Sequence, residues 1–190
     1  MPANKRNIFV IIGSASKNSA NENLVIYLAE LTKEFFSFTV LRDLKTIPHF
    51  DPELSAESPP QEIVELRNNI NKSDGVIICT PEYIFSIPSG LKNAIEWCVA
   101  TTIFTDKTVG LITASANGEK GHEELKLLMK TVMAKFTSKT TLLIQGIKGK
   151  INGKGEITDK DIIAELTNFV EHFSNFISSH QETDSISTEE

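Results

Sequence analysis

The chain has 190 residues, 40% of them hydrophobic, and a formal net charge of −6. That length supports one ordinary domain with a real core and is short for two. A mildly acidic chain lacks the electrostatic footprint for nucleic acid or an anionic membrane, so neither is expected as a partner.

The opening MPANKRN is too short and polar to read as a signal peptide, and no apolar run is long enough to span a bilayer. Ile8-Phe9-Val10-Ile11-Ile12 is continuously apolar, as in a strand covered on both faces. Leu24, Tyr27, Leu28, Leu31 and Phe35 then recur at helical spacing. Phe38 to Leu41 gives a second strand. A loop punctuated by Pro48, Pro52 and Pro59-Pro60 follows, then a helix carrying Ile63, Leu66 and Ile70. Val76 to Cys79 is the third strand, and Leu91, Ala94, Ile95 and Cys98 mark its helix. Val109 to Ile112 is the fourth, followed by Leu125, Leu128, Met129, Val132 and Phe136 on one helix face. Thr141 to Ile144 is the fifth. Gly146 to Gly155, GIKGKINGKG, lacks the residue order of a P-loop and reads as a solvated surface loop. Thr158 and Asp161 suggest a capping box for a last helix with Leu166, Phe169, Val170 and Phe173. The polar, acidic tail from Gln181, QETDSISTEE, is expected to be disordered.

Strict alternation of strand and helix forces parallel strands and right-handed crossovers. The expectation is a three-layer α/β domain over residues 5–179, with a five-stranded parallel sheet and a tail over 180–190. The two cysteines, Cys79 and Cys98, fall in apolar positions and read as reduced core thiols, which suits a cytoplasmic protein.

Open α/β sheets bind ligands at the carboxyl ends of their strands. Gly13 to Asn21, GSASKNSAN, follows the first strand and is rich in hydroxyl and amide groups. Ser14, Ser16, Ser19 and Asn21 offer side-chain donors, and the N–H groups near Ala20 open a helix whose dipole favours an anion. A phosphate monoester would fit there. Ser and Asn are also the usual helix caps, so a plain capped turn stays open. A Rossmann site would need Gly-x-Gly-x-x-Gly, and only Gly13 is present.

The loop after the third strand, Thr80 to Cys98, reads TPEYIFSIPSGLKNAIEWC. Pro81 and Pro88 stiffen it. Pro81, Glu82, Tyr83, Ile84 and Phe85 combine backbone N–H groups with aromatic walls, which suits a flavin ring: flat, largely apolar, edged with acceptors. After the fourth strand, Ser115 and the turn signal Asn117-Gly118 can close the pyrimidine side, or form a simple strand-to-helix turn. Glu82 has no nucleophile or paired acid beside it and reads as a turn residue rather than a base. His49 and His122 read as a loop histidine and a solvated first-turn histidine, and Trp97 as a core or interface aromatic. No residue is assigned a catalytic or metal-ligating role.

At these residues the chain resembles the NADPH-dependent FMN reductase family. Gly13, Ser14, Ser19 and Asn21 match its Gly-Ser-x-Arg-x-x-Ser-x-Asn pattern. Pro81, Glu82, Tyr83, Ser86, Pro88, Leu91, Lys92, Asn93, Ala94, Glu96 and Trp97 match the longer pattern after the third strand. Two positions depart: the family Arg is Ser16, and the family Asn after Tyr is Ile84. The resemblance implies a flavodoxin-like fold with strand order 2-1-3-4-5. It also implies FMN, NADPH or NADH as hydride donor, a small-molecule electron acceptor, and a homodimer or homotetramer. The rival is an FMN-binding electron carrier that does not oxidise NAD(P)H.

Overall fold

In the computed structural model, residues 5–186 are described. Strands β1 (Arg6–Ile12), β2 (Phe36–Leu41), β3 (Gly75–Thr80), β4 (Val109–Ser115) and β5 (Thr141–Gln145) form one sheet. Its order is β2-β1-β3-β4-β5, and every pairing is parallel. This is the flavodoxin-like arrangement.

The apolar runs are continuous because the central strands are covered twice. On one face Phe9, Ile11, Val76, Ile78 and Leu111 pack with Ile63, Leu66 and Ile70 of α3 (Gln61–Lys72). Leu91 and Ile95 of α4 (Ser89–Glu96) and Leu125 and Met129 of α5 (Glu119–Thr131) complete that layer. On the other face Ile8, Val10, Ile77, Ile112 and Ile144 meet Leu24 and Leu28 of α1 (Ala20–Leu31). They also meet Leu166, Phe169 and Phe173 of α6 (Lys160–Ile186). Alternate residues of one strand thus feed opposite cores, as strand geometry dictates.

Register brings the functional loops together. Ile12 stands beside Cys79, Cys79 beside Ile112, and Ile112 beside Leu142. Four chain segments therefore leave the sheet along one edge.

Several expectations need correction. The proline-rich loop contains α2 (Pro52–Glu57): the Asp51 carboxylate accepts the Glu53 and Leu54 N–H groups, and Pro52 occupies the first turn. Phe136 lies beyond the end of α5. The cap of α6 is Asp159, whose carboxylate accepts from Asp161 and Ile162; there is no Thr158–Asp161 box. The α6 backbone runs from Lys160 to Ile186. No Gly or Pro interrupts it between Lys160 and Ile186. The first residues of MPANKRN (1–4) and the end of the tail (187–190) lie outside the described residues. Among the described residues, no helix is long and apolar enough to cross a membrane.

Candidate functional site

A cleft of about 850 Å³ opens at the carboxyl ends of β1, β3, β4 and β5. Its first wall is the loop after β1. Gly13 donates its N–H to the Cys79 carbonyl at 2.8 Å, and a Cβ there would stand 2.2 Å from Thr80 Oγ1. Only glycine allows β1 and β3 to part so closely. The buried Ser14 Oγ accepts the Ser16 N–H at 3.3 Å and lies 3.5 Å from the Tyr83 hydroxyl. Ser19 caps α1, its Oγ accepting from Glu22 N at 3.1 Å. Ala20 and Asn21 then open the helix, where N–H groups have no intrahelical partner. Ser16, Ser19, Ala20 and Asn21 all line the cleft.

Asn21 differs from the expected anion donor. Its side chain is buried, with Nδ2 donating to the Ala114 carbonyl at 3.2 Å and Cys79 Sγ lying 3.4 Å from its Oδ1. It locks the α1 start to the ends of β3 and β4.

Pro81, Glu82 and Tyr83 line the cleft from the loop after β3. Ile84 and Phe85 do not; they form the tip of a tight turn closed by Tyr83 N–H to Ser86 O (2.9 Å) and Ser86 N–H to Tyr83 O (3.1 Å). Both sit at positive φ, 52° and 58°, and are 94% and 72% exposed. The Tyr83 N–H is therefore engaged within the turn and is not free for a ring edge.

Two carboxylates brace this loop against α5. Glu82 leans out of it, accepting Gly118 N–H at 3.3 Å and Gly121 N–H at 2.8 Å. Glu124 reaches back, accepting the Ser86 hydroxyl at 2.6 Å and Ile87 N–H at 2.9 Å, with Lys92 at 3.4 Å. Burial opposes ionisation of Glu124, but those two hydrogen bonds and the Lys92 ammonium outweigh it and hold the carboxyl below its usual range.

At the end of β4 and just beyond it, Ala114, Ser115 and Ala116 line the cleft. Asn117 and Gly118 do not: Asn117 Oδ1 accepts from Gln145, and the Gly118 N–H, expected at the ring, is taken by Glu82. His122 is buried rather than solvated, sharing a 2.9 Å hydrogen bond with Thr113 Oγ1. Burial, helped by Lys126, pushes its pKa down to about 4. Trp97 is fully buried; its Nε1 donates to the Pro48 carbonyl at 2.8 Å. His49 is exposed. Burial pushes both thiols up, Cys79 beyond the ordinary range and Cys98 to about 12 despite the opposing Arg67 charge. Neither offers a thiolate nucleophile.

The fourth wall was not anticipated. Gly146, Ile147, Lys148, Gly149, Ile151 and Asn152, part of the segment read as a solvated loop, also line the cleft. Gly146 N–H donates to the Ala116 carbonyl at 3.2 Å, and Ile147 is buried. The available signal was Ile147 and Ile151, apolar residues inside a glycine–lysine run.

A family model described as NADPH-dependent FMN reductase matches residues 6–146. The chain belongs to that family. A quinone reductase of Escherichia coli (strain K12) is 28% identical over 91% of this chain and 96% of its own length. The NADH:(hydroxy)cinnamate reductase subunit CrdA of Vibrio ruber is 29% identical over 90% of this chain and 86% of its own. Among solved structures, FerB, a flavoenzyme NAD(P)H:(acceptor) oxidoreductase from Paracoccus denitrificans, superposes with a TM-score of 0.81 at 28% identity, covering 92% of this chain and 98% of that one.

The cleft fits the family's FMN on its own geometry. Its volume is that of a cofactor site. The start of α1 presents unpaired N–H groups beside two serine hydroxyls, the donor set a phosphate requires. Tyr83 and the walls after β4 and β5 supply the largely apolar enclosure a flat ring requires.

Proposed function

We propose that the chain binds FMN in this cleft and passes electrons from NADPH or NADH to a quinone, azo compound, free flavin or metal oxyanion. One observation carries the reading: an anion-ready helix start and a doubly braced aromatic loop meet at a single sheet edge. When bound, the flavin would take up hydride and release electrons; the protein supplies position and enclosure. The α1 start would hold the phosphate, and Pro81 to Tyr83 with Ala114 to Ala116 would flank the ring. Donor and acceptor would occupy the one cleft in turn, giving ping-pong kinetics.

The exposed apolar tip at Ile84 and Phe85 favours a homodimer or homotetramer in which a second copy covers it. The two buried free thiols support a reducing, cytoplasmic setting.

The test is an absorbance spectrum of the purified chain followed by NADPH and NADH oxidation with a quinone. Bound flavin, turnover and parallel double-reciprocal lines are expected. An FMN-loaded protein that oxidises neither nicotinamide would establish the carrier reading, which the acidic net charge favours. Sedimentation of the same sample reads the assembly.

A further inference from the structure

The first loop has a charge problem. Ser16 stands where the family pattern has arginine, and the cations that line the main cleft are the lysines Lys17 and Lys148. A carboxylate stands close to that loop, outside the main cleft. Glu22 lies in the first turn of α1, and its Oε2 accepts the Asn18 N–H at 3.0 Å. That N–H belongs to the loop that would cradle the phosphate. An anionic side chain there competes for the same donor and repels a phosphate dianion.

A second cleft, about 180 Å³, lies against the same loop and shares Ser14, Ser16 and Lys17 with the first. Arg42 lines it, directly after β2. Its Nη1 lies 2.6 Å from Glu22 Oε1, so the guanidinium is one carboxylate away from the phosphate loop. The Glu22 side chain is 20% exposed and that of Arg42 57%.

We propose that the Glu22–Arg42 pair sets the affinity for the FMN phosphate, Glu22 opposing it and Arg42 neutralising that carboxylate. The inference rests on FMN occupying the main cleft. The phosphate is the only part of the cofactor concerned, so riboflavin, which has the same ring and no phosphate, is the control. The pair is partly solvated, so its effect on binding is screened by salt.

FMN and riboflavin are titrated by fluorescence into wild type, Arg42→Ala, Glu22→Gln and the double variant, at low and high salt. At low salt Arg42→Ala is expected to weaken FMN about five- to tenfold through unneutralised repulsion, with riboflavin changed less than about twofold. Glu22→Gln is expected to tighten FMN at least about threefold, and the double variant to bind it at least as tightly as wild type. High salt should shrink the Arg42→Ala loss. FMN binding by Arg42→Ala within twofold of wild type, or an equal loss of riboflavin, overturns the proposal. Should Arg42→Ala fail to fold, judged by its urea midpoint, Glu22→Gln decides alone: unchanged or weaker FMN binding overturns it. A wild-type chain that takes up neither flavin instead overturns the cofactor reading beneath it.

Discussion

The Glu82 carboxylate accepts the Gly121 N–H at 2.8 Å, tying the loop after β3 to the first turn of α5. With Gly118 N–H at 3.3 Å it caps that helix from another segment of the chain. A carboxylate at a helix start gains from both hydrogen bonding and the dipole. It holds the Tyr83 turn against the start of α5. Glu82→Ala should cost about 1–2 kcal/mol, the size of a lost cap, and lower flavin retention. Glu82→Gln keeps an acceptor and should cost less than about 1 kcal/mol, with turnover per bound flavin unchanged. Urea midpoints, flavin content and NADPH oxidation rates check this. A Glu82→Gln enzyme inactive at full flavin content and normal stability would show that Glu82 takes part in the chemistry.

Ile84 carries backbone strain. A β-branched residue at φ 52° is unfavourable, and here it is followed by Phe85 at 58°. Asparagine, the residue the family pattern has at this place, tolerates the left-handed region far better. Ile84 is 94% exposed, so its replacement forfeits almost no burial within the chain. Ile84→Asn should therefore raise stability by about 1 kcal/mol, read as a higher urea midpoint at unchanged slope. If a second copy covers the tip, the same variant will also dissociate at higher protein concentration, which sedimentation reports.

His122 sets an acid limit on stability. Its folded pKa is depressed to about 4 by burial first and Lys126 second. Below the ordinary value near 6.5 the unfolded chain binds a proton that the folded chain refuses, so stability is full above that pH. It falls as pH drops from about 6.5 through 4. By pH 5 the loss should be on the order of 1–2 kcal/mol. His122→Gln should flatten this slope in urea midpoints measured from pH 7 to pH 4.5. An unchanged slope in the variant would assign the acid sensitivity to other groups.

What the sequence reveals of this protein depends on how local each feature is. The run Ile8–Ile12 is legible as a doubly covered strand because both its faces meet helices and every residue is apolar. The long motif after β3 is also legible, yet most of it touches no cleft. Asn93 accepts from Phe50 N–H and donates to the Pro48 carbonyl, Trp97 donates to the same carbonyl, and Lys92 pairs with Glu124. These residues build the scaffold under the site. The direction of the Asn21 side chain is not legible, because a motif fixes residue type and not side-chain direction; its amide turns inward to Ala114. The wall from Gly146 to Asn152 is hidden for another reason. Its membership follows from the register of β5 on β4, a pairing between distant segments that loop composition does not encode.

Tyr83 tests the cleft wall itself. It is 40% exposed, lines the cleft, and its hydroxyl lies 3.5 Å from the buried Ser14 Oγ across the mouth. Its backbone is held independently by the turn to Ser86 and by the Glu82 and Glu124 braces. Removing the ring therefore leaves the turn in place. Tyr83→Ala should cost less than about 1.5 kcal/mol in stability, well under the roughly 3–5 kcal/mol typical of a core aromatic. Flavin retention and quinone reduction should fall much further, by about tenfold or more, because the lost surface encloses the ligand. Tyr83→Phe separates the two parts of the side chain. It keeps the wall and loses only the hydroxyl near Ser14, so retention within about threefold of wild type is expected. The urea midpoint, the flavin-to-protein absorbance ratio after gel filtration and the NADPH-dependent quinone rate are read together. A Tyr83→Ala protein with normal flavin content and rate would place the ring binding surface on the walls after β4 and β5 instead.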